Sequence, residues 1–295
     1  MRHPLLAVLP SHYLFALCLL VSQVHAEFIV SHRSPETEGD FRQHYNNELL
    51  TLALEKTKAK YGAYKFQAIP AMTTPRLLSV ATSNIYQNLI FELTYEDKFT
   101  VKGDLTYINF PIDLGIVSYR VCFVNPAIKD ELKQISTIEQ LKKHTIGQGI
   151  GWSDVEILRA NGFHVNEFSN YGNIFKMVSA GRIDLFLRGA NELRSEYNTF
   201  KSTMNLTYDE SFVIFYPLPR FFYIAAENKL AKKRIEEGLK IAYHDGSLKK
   251  LWRKEYGESI RFAKLKQRKI FHLNNPLIKN LPTDYQKYLY DPFHD

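Results

Sequence analysis

The chain has 295 residues, with 38 Lys and Arg against 31 Asp and Glu, for a formal charge of +7. Hydrophobic residues make up 45% and charged residues 23%, and 14 Gly with 12 Pro are too few for a collagen-like or low-complexity chain. With 20 Phe and 18 Tyr the chain is not intrinsically disordered, and its length suits one large domain or two lobes.

Met1-Arg2-His3 is a basic start, Leu5 to Val21 is apolar apart from Ser11 and His12, and Val24-His25-Ala26 supplies the small residues of a cleavage site. This pattern predicts a secretory signal peptide over 1–26. Its apolar core, Tyr13 to Val21, is short of the ~20 residues a spanning helix needs. Beyond residue 26 Cys122 is the sole cysteine, so no internal disulfide forms there, and its apolar surroundings predict a small buried hydrophobe.

From Glu27 onward, short apolar strands alternate with helical stripes. Strands are predicted at Phe28–Val30, Tyr64–Ile69, Leu89–Leu93, Leu105–Ile112 and Tyr119–Val124. Phe41, Tyr45, Leu49, Leu52 and Ala53 follow helical spacing, and Thr74-Pro75 starts a second helix through Ala81. Ser136 with Glu139, and Ser153 with Glu156, read as capping boxes. Further strands are expected at His164–Phe168 and Ile183–Leu187, flanking a helix over Tyr171–Ala180 that Gly181 closes. Pro217 and Pro219 break the apolar run Phe212–Ala226. Ala231, Ile235, Gly238, Leu239 and Ala242 form one helical stripe; Gly246 ends that helix and Gly257 closes the next. The alternation predicts an α/β fold with two mixed, mostly parallel sheets.

In open α/β sheets ligands sit beyond the carboxyl ends of strands. Three places qualify. The loop Gly147 to Asp154 joins a strand to a helix, so Gly149, Trp152, Ser153 and Asp154 are candidates, Trp152 as a stacking surface. Arg188 ends an apolar strand and offers a planar fork for a carboxylate, with Glu192 as its structural partner or as a ligand for an amine. The loop after the first strand offers His32. Arg76 and Arg120 complete the set, Arg76 because a cation in a first helical turn opposes the dipole and invites an anion.

The chain lacks a Gly-x-Ser-x-Gly elbow, a His-Glu-x-x-His pair and a Gly-Lys-Ser/Thr phosphate loop, and its histidines show no metal-ligand spacing. No cofactor and no metal are expected. The basic run from Lys249 to Lys269 faces only Glu255 and Glu258, but its aromatics are not interleaved as a stacking platform, so a solvated or membrane-facing surface is preferred to nucleic acid.

Tyr171-Gly172-Asn173-Ile174-Phe175-Lys176-Met177-Val178-Ser179-Ala180-Gly181-Arg182-Ile183-Asp184, together with Asp245-Gly246-Ser247-Leu248, Trp252 and Tyr256-Gly257, resembles the type 2 periplasmic substrate-binding proteins related to the amino-acid binders. The likeness is strongest over 145–257. It implies a two-lobed fold: lobe 1 over 27–113 plus 217–295, lobe 2 over 118–213, joined by two crossover strands. It also implies a periplasmic monomer that captures a small solute for an ABC-type importer or a sensor. Arg188-Gly189 stands where amino-acid binders carry an aspartate for the ligand's amino group, which favours an anionic solute instead. Two alternatives remain: a dehydratase-like enzyme on the same fold, with Glu192 or His32 as acid or base, and a ligand-less interaction protein that uses the basic C-terminal surface.

Overall fold

A computed structural model describes residues 27–34, 42–72 and 74–294. The expected leader, 1–26, lies outside them. In chain order the elements are β1 (Phe28–Arg33), α1 (Arg42–Tyr61), β2 (Tyr64–Ile69), α2 (Thr74–Thr82), β3 (Phe91–Thr94), β4 (Leu105–Tyr107), β5 (Tyr119–Val124), α3 (Lys129–Leu132) and α4 (Ile138–Leu141). There follow β6 (Ile146–Gly149), α5 (Ser153–Ala160), β7 (Val165–Phe168), α6 (Tyr171–Ser179), β8 (Leu185–Gly189), α7 (Leu193–Phe200), β9 (Thr207–Tyr208) and β10 (Phe212–Phe215). The chain closes with β11 (Arg220–Ala225), α8 (Lys229–His244), α9 (Ser247–Ala263) and β12 (Lys269–His272).

Two α/β units result. The larger is built on a seven-stranded sheet of order β12-β10-β5-β8-β6-β7, with β9 also on β5. Its central strands β5 and β8 are buried almost throughout, which is why they read as unbroken apolar runs. The smaller unit holds β1 parallel to β2 and the antiparallel sheet β3-β11-β4, linked by a parallel bridge from His32 to Ile90. The larger sheet is mixed: β5 runs antiparallel to β8 and β10, while β6 runs parallel to β7 and β8.

The chain passes between the units twice, side by side. Ile108 N donates to Phe222 O at 2.8 Å, Ile112 N to Arg220 O at 3.0 Å, and Leu218 N to Ser118 Oγ at 3.0 Å. The strand expected over 105–112 stops at Tyr107: beyond it only Ile108 and Ile112 donate across to β11, while Phe110, Leu114, Ile116 and Ser118 turn back on their own neighbours. The expected boundary also shifts at the far end. Residues 217–295 were assigned to one lobe, yet β12 pairs in parallel with β10 of the larger sheet. Arg268 anchors it there: buried, it donates to Asp209 O at 2.6 Å and Phe212 O at 3.0 Å. The chain then returns, burying Leu281 and Tyr285 among Leu77, Phe91 and Phe221 of the smaller unit.

Capping differs from expectation in one register. Thr137, not Ser136, caps α4, and Gln140 reciprocates. Ser-Thr followed by Glu-Gln satisfies the pattern in two frames, and the frame that buries Leu141 wins. Among the described residues no helix is long and apolar enough to cross a membrane.

α1 and α8 pack backbone to backbone at Gly238. A Cβ there would lie 2.0 Å from the Ala53 carbonyl oxygen. Gly238→Ala is therefore expected to force the helices apart and cost roughly 3 kcal/mol, read as a lower urea midpoint at an unchanged slope.

Candidate functional site

The carboxyl ends of β6 and β8, and the amino end of the antiparallel β5, lie on one edge of the larger sheet. That edge carries Gly149, Trp152, Arg188, Glu192 and Arg120. On the smaller unit β1, β2 and the start of β3 run in one direction, so the end of β1, the start of α2 and Glu96 share an edge. The two edges meet where Ser153 Oγ donates to Glu96 Oε1 at 2.7 Å.

Arg188 is buried at this edge in a frame of aromatic rings, 5.2 Å from the Trp152 centroid, 5.4 Å from Tyr171 and 5.5 Å from Phe186. Its Nε and Nη2 donate to Glu196 at 2.9 and 2.7 Å, and Nη2 also lies 2.7 Å from Glu192 Oε1. Burial would depress the guanidinium pKa, but the two carboxylates overcome this and hold the charge. Burial likewise opposes the charge on Glu192, yet Arg188, Arg220 and Arg120 outweigh it and bring its pKa down to about 2. Glu196, the second carboxylate on one guanidinium, is pushed up by burial despite Arg188, and Tyr171 donates to it. Arg120 is equally engaged. Its Nη2 lies 2.7 Å from Asp154 Oδ1, which also accepts from Tyr216 at 2.6 Å.

The structure therefore brings Arg188, Glu192, Trp152 and Gly149 together, and pairs Arg120 with Asp154, but as internal partners. Trp152 stacks on the chain's own Arg188. Gly149 leaves room for that indole, since a Cβ would lie 2.4 Å from Trp152 Cε2. Ser153 is not an N-cap: the cap position is Trp152, without a side-chain bond, and Ser153 reaches across to Glu96. The argument for an anionic solute rested on Arg188, whose charge is spent on Glu192 and Glu196.

On the smaller unit, His32 stands half-buried at the end of β1, edge-on to Phe66 at 5.3 Å. Burial lowers its pKa. Of the two residues of the enzymatic alternative, Glu192 is engaged by Arg188. Arg76 is exposed in the first turn of α2, and no partner for it is found among the described residues. The basic run of the interaction alternative is not one patch: Arg268 is buried, Lys254 faces Glu48 at 3.5 Å and Lys264 faces Glu210 at 3.9 Å.

Sequence reasoning missed Glu96, Glu196, Tyr171 and Asp113. Glu196 had a signal, because Glu192 and Glu196 are four apart and share a helical face. Asp113 lies buried in the first crossing segment. Its Oδ1 accepts from Gly115 N at 2.9 Å, and burial, opposed by Arg220, raises its pKa to about 6. A cavity of about 210 Å³ beside Trp252 and Tyr288, and a groove of about 740 Å³ between α1 and α9, contain none of the predicted site residues. Among the described residues no cluster of His, Cys, Asp and Glu suits a metal ion.

No family model matches the chain, and no curated protein matches it in sequence. Solved structures do match in fold. The GluR0 ligand-binding core in complex with L-glutamate is 11% identical, with a TM-score of 0.59 over 79% of this chain and 100% of that one. An ancestral arginine-binding protein bound to arginine is 16% identical, with a TM-score of 0.55 over 79% and 100%. The arginine-, lysine-, histidine-binding protein ArtJ of Geobacillus stearothermophilus is 15% identical, with a TM-score of 0.53 over 79% and 96%. The chain has the two-lobed fold of type 2 periplasmic binding proteins.

Two outcomes are expected. Arg188→Ala leaves Glu192 and Glu196 buried without their cation, so it should cost roughly 3–5 kcal/mol in urea unfolding. Asp113 binds its proton more tightly in the native state than when unfolded. Its contribution to stability therefore rises as pH falls through 6 and levels off near about 4. Asp113→Asn keeps the acceptor for Gly115 and should add roughly 2–3 kcal/mol at pH 7, a gain that vanishes below pH ~4 in melts run across that range.

Proposed function

We propose that this protein captures a small solute bearing an acidic group between its two lobes, outside the cytoplasm, as a monomeric binding component of an ABC-type importer or of a sensor. The observation that carries the reading is the junction itself, where strand ends of both sheets converge; Arg76, exposed in the first turn of α2 and without a partner among the described residues, is the candidate anchor. An arginine at a helix start is opposed by the dipole and is relieved by an anion. Arg76 replaces Arg188 as the anchor. The solutes named for the structural neighbours, arginine and L-glutamate, each carry a carboxylate, which supports an acidic group without choosing the rest of the molecule.

In this reading a leader over 1–26 directs export, and the crossings at 108–118 and 215–220 form the hinge. Lobe 1 comprises 27–113 with 217–268 and 274–294, and lobe 2 comprises 118–213 with β12. Solute shifts the open and closed populations by its unequal affinity for them.

The test is a thermal-shift screen of amino acids, organic acids and phosphorylated metabolites. A ligand at 100 times its dissociation constant adds about 2.7 kcal/mol to stability. Arg76→Ala should abolish the shift while leaving the unliganded melting temperature within a degree or two, because Arg76 is exposed and has no partner among the described residues. A hit that survives Arg76→Ala moves the site elsewhere. A library with no hit counts against solute capture.

A further inference from the structure

Besides α9 and the C-terminal return, one short segment carries charged contacts from the smaller lobe to α5. Residues 95–98 leave β3, and Tyr95 N donates to Pro219 O at 2.9 Å, tying the segment to the second crossing. Glu96 follows, 4% exposed, and its Oε1 accepts from Ser153 Oγ. Its Oε2 lies 2.5 Å from Lys98 Nζ, and the same ammonium reaches Glu156 on α5 at 3.2 Å. Three charges and one hydroxyl thus run in a chain from the smaller lobe to the first two turns of α5.

The reason lies in α5. A helix start presents amide donors that need an acceptor. Its N-cap is Trp152, whose indole has no acceptor to give, and no side-chain cap bond is made. Ser153, at the first helical position, is buried with its hydroxyl aimed out of its own lobe. Glu96 accepts from that hydroxyl and not from an amide, which sets a carboxylate, favoured near a helix N-terminus, against the first residue of α5.

We infer that Glu96 is a built-in latch: it holds the two lobes closed on each other in the absence of solute, and a solute gains entry only after the Glu96–Ser153 contact breaks. The second half rests on the solute reading above; the first does not. A charge-assisted hydrogen bond between buried groups shifts a two-state balance by about tenfold or more. A protein so latched is mostly closed at rest, and its apparent affinity is reduced by the scarcity of the open form.

The test measures the distance between the lobes without any ligand. Spin labels are placed through Ser79→Cys on α2 and Lys176→Cys on α6, both exposed, in a background carrying Cys18→Ser; Cys122 is fully buried and stays unlabelled. Double electron–electron resonance should show one dominant short distance in the otherwise unaltered protein. Glu96→Ala and Ser153→Ala should each raise the ratio of a longer distance to the short one by about tenfold. Glu96→Gln, which keeps an acceptor for Ser153 but loses Lys98, should fall between. If Glu96→Ala fails to fold, Ser153→Ala carries the same test from the other lobe. Identical distributions in all variants, or a protein that is already mostly open, overturn the latch. A hit from the screen above, added to Glu96→Ala, should restore the short distance. Absence of that response, with the latch intact, overturns solute capture alone.

Discussion

A guanidinium buried at the end of a central strand must have its charge met inside the protein, and much of the larger lobe is arranged around that need. Arg188 takes two carboxylates from the start of α7, three aromatic faces from α5, α6 and its own strand, and room made by the glycine at 149. The partners come from several elements, so the cluster ties the start of α5, α6, α7 and β8 together. Replacing the set with apolar residues of similar volume need not weaken such a site, whereas removing one member leaves a stranded charge. The arginine therefore acts as a framework residue of the larger lobe.

The joint between the lobes obeys a related constraint. Two strands of chain cross together, and their backbone groups satisfy one another rather than a sheet neighbour. Asp113 is buried within that joint, and Trp252 of α9 donates to its carbonyl at 2.8 Å. α9 also reaches the larger lobe, where Ser259 donates to Ala190 O at 2.8 Å. The joint is thus braced by a helix that touches both bodies.

Much of the fold was legible, for physical reasons. β5 was read with its observed bounds because both its faces are buried and its sequence is apolar apart from Arg120. α6 was read from Ile174, Phe175 and Val178 on one face. α7 was missed because Leu193 is its one buried residue, so no stripe marks it. β12 was missed because only Phe271 of its four residues is buried. Within the site, a charge ending an apolar strand drew attention to Arg188, but its partners depended on a helix that the pattern did not reveal. Glu96 and Ser153 are 57 residues apart, and nothing local in either segment announces the other. Pairings across a joint are set by how two bodies meet, which is a property of the whole chain.

The place of β12 bears on how the protein reaches its native state. The larger sheet gains its edge strand from residues 269–272, which follow every other strand in the chain. Until they arrive, β10 presents an unpaired edge of strongly apolar sequence, Phe212-Val213-Ile214-Phe215, of the sort that recruits strands from other molecules. A nascent chain or a truncated product stalled before that point would be prone to aggregate through β10, and completion of the sheet would fall late in folding, since its pairing spans more than 50 residues and carries the loop-closure cost of a distant contact.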